Sequence, residues 1–89
     1  MAEVHKAITA HSQKQHEIVT TFLRLEAQRE AAIEAAVALC TNGKSFSTEG
    51  INGVTQQINE LAGKYGVVPT RKYVTPEMVE EYVNRLKHS

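Results

Sequence analysis

The chain has 89 residues and a mass of 9.9 kDa, enough for one small domain. Its ten Lys and Arg balance ten acidic residues, all of them Glu. That balance argues against a broad nucleic-acid surface, because clustered cations and counterion release supply most of the affinity for duplex phosphates. A hydrophobic fraction of 42% lies above that of disordered chains and implies a small core. Cys40 is the single cysteine, so no intramolecular disulfide can form, and one thiol suits a reducing compartment. The longest apolar run, 35–40, is far from the roughly 20 residues that span a bilayer. The opening residues have no apolar stretch of the signal-peptide kind, and the expected location is the cytoplasm.

The first predicted helix runs from about Ala2 to Thr41, a stretch free of Gly and Pro. Val4, Ile8, Ile18, Phe22, Leu25, Ala32, Ala36 and Leu39 recur at helical spacing, flanked by Val19, Leu23, Ile33, Val37 and Cys40. Asn42-Gly43 supplies a left-handed stop. A second helix is expected from a Ser47 N-cap, with Phe46 and Ile51 as a hydrophobic staple. Its inward face is read as Ile51, Val54, Ile58, Leu61 and Tyr65, and its end falls near Gly66. Residues 67–74 are expected as an extended connector, since Pro69 removes Val68 from the helical region and no second strand is available. The third helix is expected to start with Thr75 as N-cap and Pro76 at its first position, with Met78, Val79, Tyr82, Val83 and Leu86 inward.

The fold class that follows is all-α: one domain over residues 1–89, three helices, the first long, and an extended connector before the last. The expected core is Ile18, Phe22, Leu25, Ile33, Val37, Leu39, Ile51, Val54, Ile58, Leu61, Val79 and Val83. A helix of 40 residues is about 60 Å long, whereas a compact domain of this size is about 30 Å across. The first helix must therefore break, with Ser12-Gln13-Lys14-Gln15 as the capping signal, or remain long and be sheltered by another molecule. His11, Gln15 and Arg29 fall on the spacing of its apolar stripe. They read either as register-setting polar positions in a helix seam or as positions that reach solvent.

Few residues carry chemistry. The histidines His5, His11 and His16 lack a ligand three or four residues away, so no metal site is expected. Cys40 reads as a small buried hydrophobe rather than a nucleophile. Gly43-Lys44-Ser45 lacks the preceding glycine and strand of a phosphate loop. Glu26, Glu30 and Glu34 read as a solvated acidic row. Lys64, Arg71 and Lys72 form the densest basic patch, a candidate site for a phosphate or a partner's carboxylate. No cofactor and no enzyme activity are expected. The favoured reading is a protein interaction module acting on a second copy through the first helix, or on another protein. The first alternative is a nucleic-acid-associated regulator using the basic patch, set below the interaction module because the charge is balanced, and the second is a small-molecule binder at a dimer interface. No membrane role is expected.

Three strings, Val4-His5-Lys6-Ala7-Ile8, Phe22-Leu23-Arg24-Leu25-Glu26 and Gly66-Val67-Val68-Pro69-Thr70-Arg71-Lys72-Tyr73-Val74-Thr75, resemble the YpbS-like family of short proteins from Bacillus-type bacteria, a domain of unknown function. The resemblance covers most of the chain. It implies a bacterial cytosolic origin and a small helical fold, and it brings no activity, cofactor or site residue.

Overall fold

The computed structural model describes the backbone of residues 2–88 and the side chains from Ser12 to His88. Three helices account for the regular structure: α1 (Ala2–Thr41), α2 (Glu49–Tyr65) and α3 (Pro76–Lys87). Helix α1 is continuous through Ser12, so of the two expected alternatives the unbroken long helix is the one observed. The molecule measures 63 × 21 × 17 Å with a radius of gyration of 18.0 Å, against about 12 Å for a compact chain of this length. Its long dimension is α1 itself.

The helix ends follow local chemistry. At the end of α1 the Lys44 N–H donates to the Leu39 carbonyl at 2.9 Å while Gly43 takes φ 69°, the left-handed closure that glycine tolerates. Thr41 and Asn42 side chains donate to the carbonyls of Val37 and Ala38, and the Asn42 N–H also reaches the Ala38 carbonyl, so the last turn of α1 is tied down by bonds from just beyond it. Gly66, also at φ 69°, closes α2 with its N–H on the Ala62 carbonyl. The α2 start differs from expectation by one residue. Thr48 occupies the cap position without a side-chain bond, and Ser47 instead accepts from the Glu49 N–H at 3.1 Å in a local turn. Thr75 caps α3 as expected, accepting from the Met78 N–H ahead of Pro76.

Helix α1 is the scaffold. Both α2 and α3 pack on it, while the backbones of α2 and α3 stay apart from each other. Two clusters form the core. Phe22, Leu25 and Ile58 pack with Val54, Leu61 and Val68. Ala36, Ile51, Val74, Val79 and Val83 pack with Ala32, Ile33, Val37, Cys40 and Phe46. The second cluster joins both expected staples, Phe46 to Ile51 and Val74 to Val79. Cys40 sits among these apolar groups, half-buried, as a small hydrophobe should.

Several expected core positions lie elsewhere. Leu39 is 39% exposed, and Met78, Tyr82 and Leu86 are all exposed on α3. The reason is that α3 meets α1 along one edge only, so a single row, Val79 and Val83, is covered. The buried row of α2 is Ile51, Thr55, Ile58 and Ala62, rotated from the expected Val54 and Leu61, which are half-buried on its flank. The rotation centres on Thr55, which is 0% exposed. Its hydroxyl donates to the Ile51 carbonyl at 2.8 Å and accepts from Arg29 Nε at 2.9 Å, so burial leaves nothing unpaired.

The connector is extended, and its hydrogen-bond partners are side chains. Asn52 Oδ1 accepts from the Val74 N–H at 2.7 Å, and its Nδ2 donates to the Val74 carbonyl at 2.9 Å. Asn59 treats Arg71 the same way, at 2.7 and 3.0 Å. The geometry is matched: seven residues of helix rise about 10.5 Å, and three residues of extended chain span about 10 Å. Between the two amides, Arg29 Nη2 donates to the Lys72 carbonyl at 2.9 Å. The connector is thereby laid against α1 and α2 as a strand would be laid against a sheet. Replacing Asn52 or Asn59 with Ala orphans one N–H and one C=O and is expected to cost about 1–3 kcal/mol each. Urea denaturation of the two variants measures this, and a loss below a few tenths of a kcal/mol would contradict the matched ladder.

Candidate functional site

The basic patch is not assembled as the sequence suggested. Arg71 is drawn inward. Its Nε lies 2.6 Å from Glu26 Oε1, the one ion pair among the described residues, and its guanidinium stands 5.4 Å from the centre of the Phe22 ring. Glu26 therefore leaves the solvated acidic row and ties α1 to the connector. Lys72 is exposed, and its backbone carbonyl is held by Arg29. Lys64 sits in the last turn of α2, its ammonium 5.4 Å from the Tyr65 ring centre.

Of the seam positions, Arg29 is half-buried and bridges Thr55 and the Lys72 carbonyl within the chain. Gln15 is exposed on α1. The side chain of His11 lies outside the described residues.

A different group gathers where α2 ends beside α1. Lys14 places its ammonium 5.2 Å from the Tyr65 ring centre, joining Lys64 on the same ring. Next to them is a shallow polar cleft of about 350 Å³ lined by Thr21, Arg24, Gln57, Glu60, Lys64 and Tyr65. The positive field of Lys14, and after it that of Lys64, holds the Tyr65 phenol below its ordinary 10.0, against a small opposing effect of burial. Sequence spacing joins Lys64 to Tyr65, but Lys14 is fifty positions away and enters only because α2 runs back along α1.

The opposite side of α1 carries an apolar groove of about 420 Å³ between α1 and α3. Ile33 and Val37 form one wall, Met78, Val79 and Tyr82 the other, with Val74 at its end and Glu30 and Glu34 on the rim. Val19 and Leu23, on the flanking stripe of α1, are 41% and 59% exposed. No cluster of three His, Cys, Asp or Glu suited to a metal ion occurs among the described residues, and none of the described helices is long and apolar enough to cross a membrane.

These features define a small all-helical protein whose distinctive surfaces are an over-long helix and an apolar groove beside it. The family model described as protein of unknown function (DUF2533) matches residues 2–85, and the chain belongs to that family. It is 58% identical over 86 residues to the uncharacterized protein YpbS of Bacillus subtilis (strain 168), an alignment covering 97% of this chain and 100% of the relative. No solved structure matches.

Tyr65 is expected to ionise below the ordinary tyrosine value of 10.0 in an alkaline titration followed by its phenolate signal. Lys14→Gln should raise its midpoint more than Lys64→Gln, since Lys14 is the larger cause. The linkage has a definite sign. A phenol whose folded value is depressed adds stability as pH rises through that value, with the full effect present above the unfolded value of about 10 and none at neutral pH. A Tyr65 midpoint that Lys14→Gln leaves unmoved would refute the arrangement.

Proposed function

We propose that this protein is a non-enzymatic interaction module of the bacterial cytoplasm that binds another polypeptide through α1 and the α1–α3 groove. The observation that supports this reading is the length of α1. Helix α2 covers 17 residues of rise and its last residue stands beside Lys14. Residues 2–13 extend beyond that point, about 18 Å of helix. An isolated helix of that length is marginal in water, and helices in proteins draw their stability from tertiary packing. A contact surface on α1 supplies that packing. Exposed Val19 and Leu23 and the neighbouring groove offer an apolar surface of the kind that marks protein contacts.

The nucleic-acid alternative draws less support. Arg71 is neutralised by Glu26, and Lys64 is committed to Tyr65. The small-molecule alternative draws on the same groove of about 420 Å³, whose carboxylates Glu30 and Glu34 stand on the rim rather than converging inside it.

A photoreactive residue placed in living cells at Leu23 or at Tyr82 is expected to form a covalent adduct with a polypeptide, while the same residue at Gln57, on the far side of α1, forms none. If neither Leu23 nor Tyr82 yields an adduct, the reading falls.

A further inference from the structure

We propose that the polar cleft between α1 and α2 is a binding site for an oligophosphate, either a free chain of phosphates or the phosphate tail of a nucleotide, held by Arg24, Lys64 and Lys14. The cleft lies on the opposite side of α1 from the apolar groove. The inference therefore goes beyond the interaction reading and stands or falls separately from it.

Its first support is an imbalance of charge at one place in a chain that is neutral as a whole. Arg24 and Lys64 line the cleft, and Lys14 stands over the ring of Tyr65, which lines it too. The nearby carboxylates are Glu60, on the cleft wall, and Glu17, three residues from Lys14 on α1. Neither forms an ion pair, since Glu26–Arg71 is the one pair among the described residues. Glu60 precedes Lys64 by four residues, the favourable spacing and order for an ion pair on a helix. It accepts instead from Gln56 Nε2 at 3.2 Å, while the Lys64 ammonium stands 5.4 Å from the Tyr65 ring centre. Arg24 has Thr20, Thr21, Ala27 and Gln28 at three and four residues along α1, none of them acidic. The Tyr65 ring attracts both ammonium groups but neutralises neither. The same uncompensated field holds its phenol below 10.0. An anion seated in the cleft relieves the repulsion among these cations.

The second support is the way the cations are spread. Leu25 packs with Ile58 and Lys14 meets Tyr65, so α2 runs back along α1. Arg24 then falls toward the Gln57 end of the cleft, and Lys14 and Lys64 fall at the Tyr65 end. Seven residues of helix separate Gln57 from Lys64, a rise of about 10.5 Å. Cations at both ends of an elongated cleft suit a ligand whose negative charge is distributed along its length, rather than a single small ion. Between the ends, the Thr21 hydroxyl and the Gln57 amide offer neutral donors, and neither makes a side-chain hydrogen bond among the described residues. A phosphate presents oxygens in several directions and can accept from both walls at once, which a planar carboxylate does less well. Arginine meets it with a two-pronged fork and lysine with a point charge.

The test uses the full-length chain in low-salt buffer free of phosphate. Titration calorimetry with tripolyphosphate should show one saturable site per chain. Heteronuclear NMR should place the shifted amides at Thr21, Arg24, Gln57, Lys64 and Tyr65. Arg24→Gln and Lys64→Gln should each weaken binding about tenfold, the loss of one charge-assisted hydrogen bond. Lys72→Gln, at an exposed lysine outside the cleft, should leave it unchanged. Bound tripolyphosphate should also move the Tyr65 phenol up toward 10.0, because its charge opposes that of the lysines. A nucleoside triphosphate that binds more tightly than tripolyphosphate identifies a nucleotide as the source, and equal binding identifies the free phosphate chain; both support the proposal. Absence of saturable binding at millimolar tripolyphosphate overturns it. So does equal weakening by Lys72→Gln, which marks diffuse attraction, or citrate binding as tightly, which marks a surface open to any polyanion. An oligonucleotide that binds where tripolyphosphate does not also overturns it, in favour of the nucleic-acid alternative.

Discussion

Eight residues of extended chain between two helices pose a problem of hydrogen bonding, and its solution organises the molecule. A lone strand exposes N–H and C=O groups that must be paired wherever the chain is buried. Here Asn52 and Asn59, two helical turns apart on α2, act as substitute strand partners for Val74 and Arg71. Each amide both donates and accepts, so each closes a two-bond ring with one residue's backbone. Val74 is thereby delivered into the core beside Ala36 and Ile51, and α3 is launched from a defined point against α1.

The charged groups serve the same segment. Arg29 reaches from α1 under the connector to the Lys72 carbonyl and to Thr55, and Arg71 returns from the connector to Glu26 on α1. Each guanidinium crosses between elements that share no regular secondary structure. Arginine suits this role because its planar fork offers several donors in fixed directions and keeps its charge at any working pH. The chain's formal neutrality thus conceals a division of labour. Some charges brace the fold, and others, Glu30 and Glu34, rim the groove between α1 and α3.

The molecule is out of proportion in one dimension. A helix of 40 residues exceeds what 17- and 12-residue neighbours can cover. The core is correspondingly thin, two clusters strung along α1 rather than one centre. Stability in such an arrangement depends on every element staying docked to α1.

How far the residues alone carry is plain from particular positions. Gly43 and Gly66 marked the helix stops because only glycine enters the left-handed region without strain, and Thr75-Pro76 marked the last start because that pair caps a helix locally. The stripe Ile18, Phe22, Leu25 was legible from period, and the length of α1 from the absence of breakers. These are short-range effects, written within a turn or two of the residues that cause them. Asn52 and Asn59, Arg29 with Thr55, Arg71 with Glu26, and Lys14 with Tyr65 were not legible, although the paired spacing of the two asparagines was in view. Each joins positions 12 to 51 residues apart, and polar side chains have no period that betrays a distant partner. Their meaning arose when the connector lay down along α1 and α2, because a hydrogen bond needs its two atoms within about 3 Å, a condition that chain order does not set.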